Sequence, residues 1–195
     1  MNFLGFDIVI PSSVYEPAED SFLLAGSIEK LKGNILEIGC GSGLICLVCS
    51  KSAKTVLGVD TNPEAVECAV RNAKINKIKN VKFIESNLFS KIPKQKFDFI
   101  LFNPPYLPTS KEEKLTGNVN HAFDGGRSGR KVLDMFLGEF DGFLRPGGSL
   151  FLVQSSLNNE KKTISKLKKL KYVVEVLKTE SFFFEKLSVL KATKP

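Results

Sequence analysis

The run Phe97-Asp-Phe-Ile-Leu-Phe102, closed by Asn103-Pro104-Pro105-Tyr106, limits what this chain can become more than any other stretch. Apolar residues fall on both alternating faces of the run, the pattern of a strand covered on both sides rather than one with a solvated face. The two prolines stop it, because neither has an N–H to give to a sheet ladder and each restricts the residue before it. An amide and a phenol are thus held on stiff backbone just past a strand end, where open α/β sheets take their ligands. Similar short runs recur at 34–39, 55–60, 81–85, 149–153, 172–177 and 187–190, with helical patterns between most of them. Pro17, Glu19 and Asp20, with Phe22, Leu23, Ile28 and Leu31 on a helical period, suggest a first helix over roughly 18–31. A second should follow the glycines at about 43–52, and a third should open at Pro63 behind Thr61 or Asn62 as cap. Val132 to Leu144 should make a fourth, stopped by Pro146-Gly147-Gly148, and Ile164, Leu167 and Leu170 mark the apolar side of a Lys-rich fifth. The order implies a doubly wound α/β fold: a seven-stranded, mostly parallel sheet with helices on both faces. Residues 178–186 are too few for a parallel crossover, so the last strand should run antiparallel to the one before it.

Length and composition narrow the classes. The 195 residues suit one domain, with 16 Phe to fill its core. No apolar stretch is long enough to span a bilayer, and the start lacks a basic n-region, so a cytoplasmic protein is expected. Four scattered Cys and one His, His121, suggest neither a disulfide framework nor a metal site. The net charge of +7 favours acidic partners, nucleic acid among them. The lysines, however, are spread along helix faces where a solvated surface is the default. Residues 107–126, polar and aperiodic, read as a mobile substrate loop, and residues 1–33 as an N-terminal lid and helix.

Gly39-Cys-Gly41-Ser-Gly43 lies between a strand and a helix, letting backbone approach a ligand near a helix N-terminus. A dinucleotide fingerprint would want Gly-x-Gly-x-x-Gly, but position 44 is Leu. Glu37 decides the charge of the ligand. An acid just before the loop gains nothing from a phosphate and does gain from an ammonium and a sulfonium. Asp60, ending the second strand, suits two ribose hydroxyls. Asn87-Leu88, after the third strand, falls where an adenine would lie. Together these describe an S-adenosylmethionine pocket.

Glu37-Ile-Gly-Cys-Gly-Ser-Gly43, Asp60, Asn103-Pro-Pro-Tyr106 and Arg145-Pro-Gly-Gly-Ser-Leu150 resemble a class I S-adenosylmethionine-dependent methyltransferase acting on a planar amino group. Val14-Tyr-Glu-Pro-Ala-Glu-Asp-Ser-Phe-Leu-Leu24, Gly125-Gly-Arg-Ser-Gly-Arg130 and Glu185-Lys-Leu-Ser-Val-Leu-Lys191 narrow this. They are similar to the archaeal and eukaryotic branch of the HemK-type glutamine methyltransferases, which modify the Gly-Gly-Gln glutamine of class I translation release factors. The resemblance covers essentially the whole chain. It implies cofactor contacts at Ser21, Glu37, Gly39, Gly41, Asp60, Asn87, Leu88 and Asn103. It implies acceptor contacts at Asn103, Pro104, Pro105 and Tyr106, with Asn103, Pro104 and Tyr106 catalytic. Ser21 stands where relatives often have Thr, and Asn87 where they usually have Asp. Only 33 residues precede the first expected strand, so the N-terminal helical domain of bacterial relatives is expected to be absent. The same branch implies a small zinc-binding activator that extends the sheet, expected on the edge strand 81–85.

A carboxamide nitrogen is a poor nucleophile, its lone pair being conjugated into the carbonyl. In the implied mechanism the Asn103 side-chain oxygen and the Pro104 carbonyl each accept one amide N–H, and Tyr106 packs on the amide plane. The alternatives are amino-methylation of a DNA or RNA base, which shares the tetrapeptide, and methylation of a protein lysine. His121 is expected at the surface, Cys46 and Cys49 as small buried side chains, and Phe182-Phe183-Phe184 in core and rim packing beside the final hairpin, with partner contact as the second reading. Arg127 and Arg130 could meet substrate or lie on a helix surface.

Overall fold

The computed structural model describes residues 1–28, 30–107 and 125–195. Two short strands, β1 (Asn2–Phe3) and β2 (Phe6–Asp7), form an antiparallel ribbon where the sequence suggested only irregular chain. The main sheet contains β3 (Asn34–Ile38), β4 (Thr55–Asp60), β5 (Val81–Glu85), β6 (Phe97–Phe102), β7 (Leu144–Ser155), β8 (Val173–Ser181) and β9 (Lys186–Thr193). The helices are α1 (Glu19–Ala25), α2 (Leu44–Ser50), α3 (Pro63–Ile75), α4 (Lys131–Glu139) and α5 (Glu160–Lys169). Strand order is β5-β4-β3-β6-β7-β9-β8. Every pairing from β5 to β7 is parallel, while β9 runs antiparallel to both β7 and β8. The seven-stranded, mostly parallel sheet with an antiparallel last strand is therefore present, and β5 and β8 are its edges.

Strand periodicity explains the layering, since alternate side chains point to opposite faces. Leu36, Ile38, Ile100, Phe102, Leu150 and Leu152 turn toward α4 and α5, where they meet Leu133, Phe136, Leu137 and Leu167. Ile35, Val56, Leu101, Phe151 and Val153 turn the other way, toward Leu23 and Leu24 of α1, Cys46 and Cys49 of α2, and Ala69 of α3. Cys46 and Cys49 are buried, as expected of small core side chains. Asn62 caps α3 by accepting a hydrogen bond from the Glu64 N–H at 3.0 Å, with Pro63 in the first turn.

Other elements differ from expectation too: β8 and β9 run longer than the apolar runs 172–177 and 187–190. α1 ends at Ala25, although Ile28 and Leu31 are still buried; the helix stops at Gly26, and Lys30 lies at a φ of 56°. α4 ends at Glu139, and a 3-10 turn over Phe140–Phe143 leads straight into β7. Pro146-Gly147-Gly148 lies inside β7, as an excursion between the Phe97–Leu144 and Phe99–Ser149 pairings. The proposed substrate loop 107–126 lies mostly outside the described residues, as does His121. Among the described residues no helix is long and apolar enough to cross a membrane.

Candidate active site

The carboxyl ends of β3, β4, β5 and β6 open into one cavity of about 640 Å³. Glu37, Gly39 and Gly41 line it from the end of β3, and Asp60 from the end of β4. Asn87 and Leu88 line it after β5, and Asn103, Pro104, Pro105 and Tyr106 after β6. Ser21 closes it from α1. Parallel pairing accounts for the convergence, because all four strands deliver their last residues to the same end of the sheet.

The glycine loop takes its shape from packing as well as from the ligand side. Gly43 precedes α2 at a φ of 83°, and a Cβ there would stand 2.9 Å from the Ala69 methyl of α3. Asp60 fixes the loop from beneath: one carboxylate oxygen accepts from Gly41 N–H at 2.9 Å, the other from Asn62 N–H at 2.9 Å. Burial raises the Asp60 carboxyl above its usual range, against the pull of the Asn62, Gly41 and Thr61 amides.

Glu37 is 4% exposed on the α2 face of β3, where the Cys46 thiol donates to it at 2.7 Å. Burial pushes its pKa up to about 8, the Cys46 hydrogen bonds lower it, and the charge of Asp60 raises it further. A cation brought beside it would be needed to hold the carboxylate form at neutral pH.

Beside the glycine loop, just past the neighbouring strand, stands Asn103, whose backbone carbonyl oxygen would lie 4.0 Å from a Cβ at Gly39. Its side-chain oxygen is buried and has no hydrogen-bond partner among the described residues. Buried acceptors are nearly always paired, so an orphan on the wall of a cavity marks where an N–H donor belongs. Tyr106 packs against the core cluster beneath α1 and α2. Burial pushes its hydroxyl well above the ordinary phenol value, with Asp20, Glu185 and Glu19 adding to the shift, so it stays a neutral phenol.

A match of the methyltransferase small domain family model to residues 16–184 decides the family. The chain belongs to it. A candidate protein N5-glutamine methyltransferase of Methanocaldococcus jannaschii is 48% identical over 190 residues, spanning 96% of this chain and 95% of the relative. The human methyltransferase HEMK2 is 34% identical, spanning 94% of this chain and 91% of its own length. Among solved structures, Mtq2 of E. cuniculi, in complex with Trm112 and responsible for methylating the termination factor eRF1, superposes with a TM-score of 0.74. It is 25% identical, and the match covers 94% of this chain and 99% of that one. For a methyltransferase of this family the donor is S-adenosylmethionine, and the residues in hand fit it: a buried acid by a glycine loop, a second acid on the strand to one side, and an unpaired acceptor after the strand on the other.

Sequence reasoning passed over Tyr15 and Asp20 as members of this methyltransferase site. Both line the cavity; the Tyr15 hydroxyl donates to the buried Asp20 carboxylate at 2.9 Å, and Ser21 donates to it through N–H and hydroxyl. Their signal was an acid where α1 should turn an apolar face inward. Arg130 does not lie on a helix surface. It is 3% exposed and donates to the Asn158 and Asn159 carbonyls, the Thr163 hydroxyl and Asp134. Arg127 is exposed.

Proposed function

We propose that this methyltransferase transfers a methyl group to the side-chain amide of a glutamine, the one in the Gly-Gly-Gln motif of a class I translation release factor. The observation that carries the reading is the orphan Asn103 side-chain oxygen, buried on the cavity wall at the start of Asn-Pro-Pro-Tyr. The names of the M. jannaschii relative and of Mtq2 agree with it in chemistry and in substrate class.

S-adenosylmethionine, when bound, supplies a methyl group on a cationic sulfur. Glu37 and the 39–43 loop would hold its cationic end, with Ser21 alongside. Asp60 would bind the ribose hydroxyls with the oxygen lone pairs that Gly41 and Asn62 leave open. Asn87 and Leu88 would flank the adenine. Asn103 and the Pro104 carbonyl would each accept one hydrogen of the acceptor amide, and Pro105 and Tyr106 would wall its plane. Those two hydrogen bonds draw electron density toward nitrogen and stabilise the positive charge that develops as the new N–C bond forms and the C–S bond breaks. The N-methylated nitrogen then gives one proton to solvent. A neutral Tyr106 suits a wall and not a base.

The working location in this reading is the cytoplasm, where translation terminates. A small zinc-binding activator adds to the open edge of β5, as Trm112 accompanies Mtq2. The reading is tested by offering labelled S-adenosylmethionine and the chain, with and without such an activator, three acceptors. These are the release factor of the same organism, that factor with its Gly-Gly-Gln glutamine changed to Asn, and duplex DNA. Label on the native factor alone is expected. Label on DNA, or equal label on the Asn variant, would overturn it.

A further inference from the structure

Phe183 and Phe184 are 93% and 85% exposed, far beyond any other aromatic side chain described in this chain. Their neighbour Phe182 turns inward and packs on the same core cluster as Tyr106, so only the first of the three phenylalanines behaves as core. The expectation of core and rim packing for the whole triplet is corrected here. Phe183 and Phe184 are the central two of the four residues, Phe182 to Glu185, that join β8 to β9, a place where polar residues are the usual choice. Two phenylalanines gain nothing there from the turn and leave their rings in water. The rings meet only edge to face, with centroids 4.7 Å apart.

The tip is anchored. Phe182 N–H donates to the Glu185 carbonyl at 2.8 Å, closing the turn. The Ser155 hydroxyl donates to the Glu185 carboxylate at 2.6 Å, and Lys186 N–H donates to the Ser156 hydroxyl at 3.0 Å. Ser155 and Ser156 lie at the carboxyl end of β7, the same end of the sheet at which Asn103 follows β6. Glu185 is also close enough to Tyr106 for its charge to bear on that hydroxyl. A preformed apolar point is therefore fixed beside the acceptor end of the cavity.

We propose that Phe183 and Phe184 dock the protein substrate, packing on the stretch of polypeptide that flanks the acceptor glutamine. The inference rests on the glutamine reading above. The acceptor amide is one side chain of a protein, and the backbone that carries it has to reach the cavity through its mouth. That backbone must cross the rim, and flat aromatic rings suit peptide planes and glycine Cα–H groups without asking for charge. Continuity with the acceptor segment, through Phe182 and Glu185, favours the substrate over an activator or a second copy of the chain.

The test is the double variant Phe183→Ser/Phe184→Ser, assayed with the intact release factor at saturating activator. Wild-type turnover reports on the glutamine reading, and the ratio of variant to wild type reports on the tip. We expect KM for the factor to rise about tenfold or more, with kcat, cofactor affinity, activator affinity and melting temperature unchanged. Phe183→Tyr/Phe184→Tyr, which keeps the ring faces, should restore most of the loss. An unchanged KM would overturn docking while leaving the glutamine reading intact. So would loss of activator binding or of a dimer with KM unchanged, since either assigns the rings to another occupant. Absence of methyl transfer by the wild-type enzyme would remove the glutamine reading and this one with it.

Discussion

Asn103 offers one oxygen that nothing else among the described residues uses, and removing it should separate chemistry from binding. Asn103→Ala is expected to lower turnover by about 10²–10³ or more, by analogy with loss of one transition-state hydrogen bond. Cofactor affinity, which the proposed function assigns mainly to Glu37, Asp60 and the glycine loop, should change only a few-fold; single-turnover rates and calorimetry on the same preparation check both. Glu37 gives a second prediction through linkage. Its carboxyl sits near 4.5 unfolded and about 8 in the folded chain, so the native state binds the extra proton between those values. Stability of the cofactor-free chain should therefore fall as pH rises from about 5 to about 8, and Glu37→Gln should flatten that slope in urea titrations. S-adenosylmethionine, bringing a cation, should bind more tightly from pH 6 to 8 as the proton is released, and the Gln variant should bind weakly with no such trend. At this scale the sequence was readable where a residue's type has one use at its position, as with Glu37 beside a glycine loop. It was not readable for Asp20 and Arg130, whose partners Tyr15, Asn158 and Thr163 are brought up by the fold.

Elements were legible where a local pattern and the tertiary demand agree. Strands β4, β5 and β6 follow their apolar runs residue for residue because turn chemistry bounds both ends. α1 was overextended because Ile28 and Leu31 keep a helical spacing and are buried, yet they reach the core from a turn rather than from helix. β7 was shortened because Pro146-Gly147-Gly148 reads locally as a stop, while pairing with β6 and β9 carries the strand past it. The Gly125–Arg130 run was legible only as a motif; in the fold it packs against the Tyr106–Leu107 segment, where Gly125 N–H donates to the Leu107 carbonyl at 3.0 Å. Gly129 lies at a φ of 65°, and a Cβ there would collide with the Tyr106 carbonyl oxygen and stand 3.1 Å from the Asn158 side chain. Gly129→Ala should destabilise the chain by about 1–3 kcal/mol and depress turnover further by displacing Tyr106. Gly138→Ala, in α4 with nothing within 4 Å of the added methyl, is the control and should be neutral or slightly stabilising. Equal melting temperatures and equal rates for the two variants would show that Gly129 does not support the acceptor segment.

For the whole molecule the question is what covers the two edges of the sheet. The family resemblance implied β5 as one edge, and the short 178–186 connection foretold an antiparallel end, but the local patterns did not show that β9 would insert between β7 and β8. That insertion leaves β8 as the second edge, and the two differ in kind. β8 is nine residues long, almost wholly exposed, broken by a register shift at Val176–Lys178, and carries the Lys178–Glu180 ion pair. Irregularity and charge of this sort discourage strand addition. β5 pairs with β4 in unbroken register over all five residues, and Val81, Phe83 and Ile84 are each only half-buried. An incoming strand would find a regular ladder there and apolar side chains still to cover. Amide hydrogen exchange with and without the activator distinguishes the edges. Outward-facing amides of Val81–Glu85 should slow by about tenfold or more on binding, while those of Val173–Ser181 keep their rates, and Ile84→Lys should abolish the effect. Protection on β8 instead would move the activator to the opposite end of the sheet, beside the Phe183–Phe184 tip, and would make substrate and activator competitors for one surface.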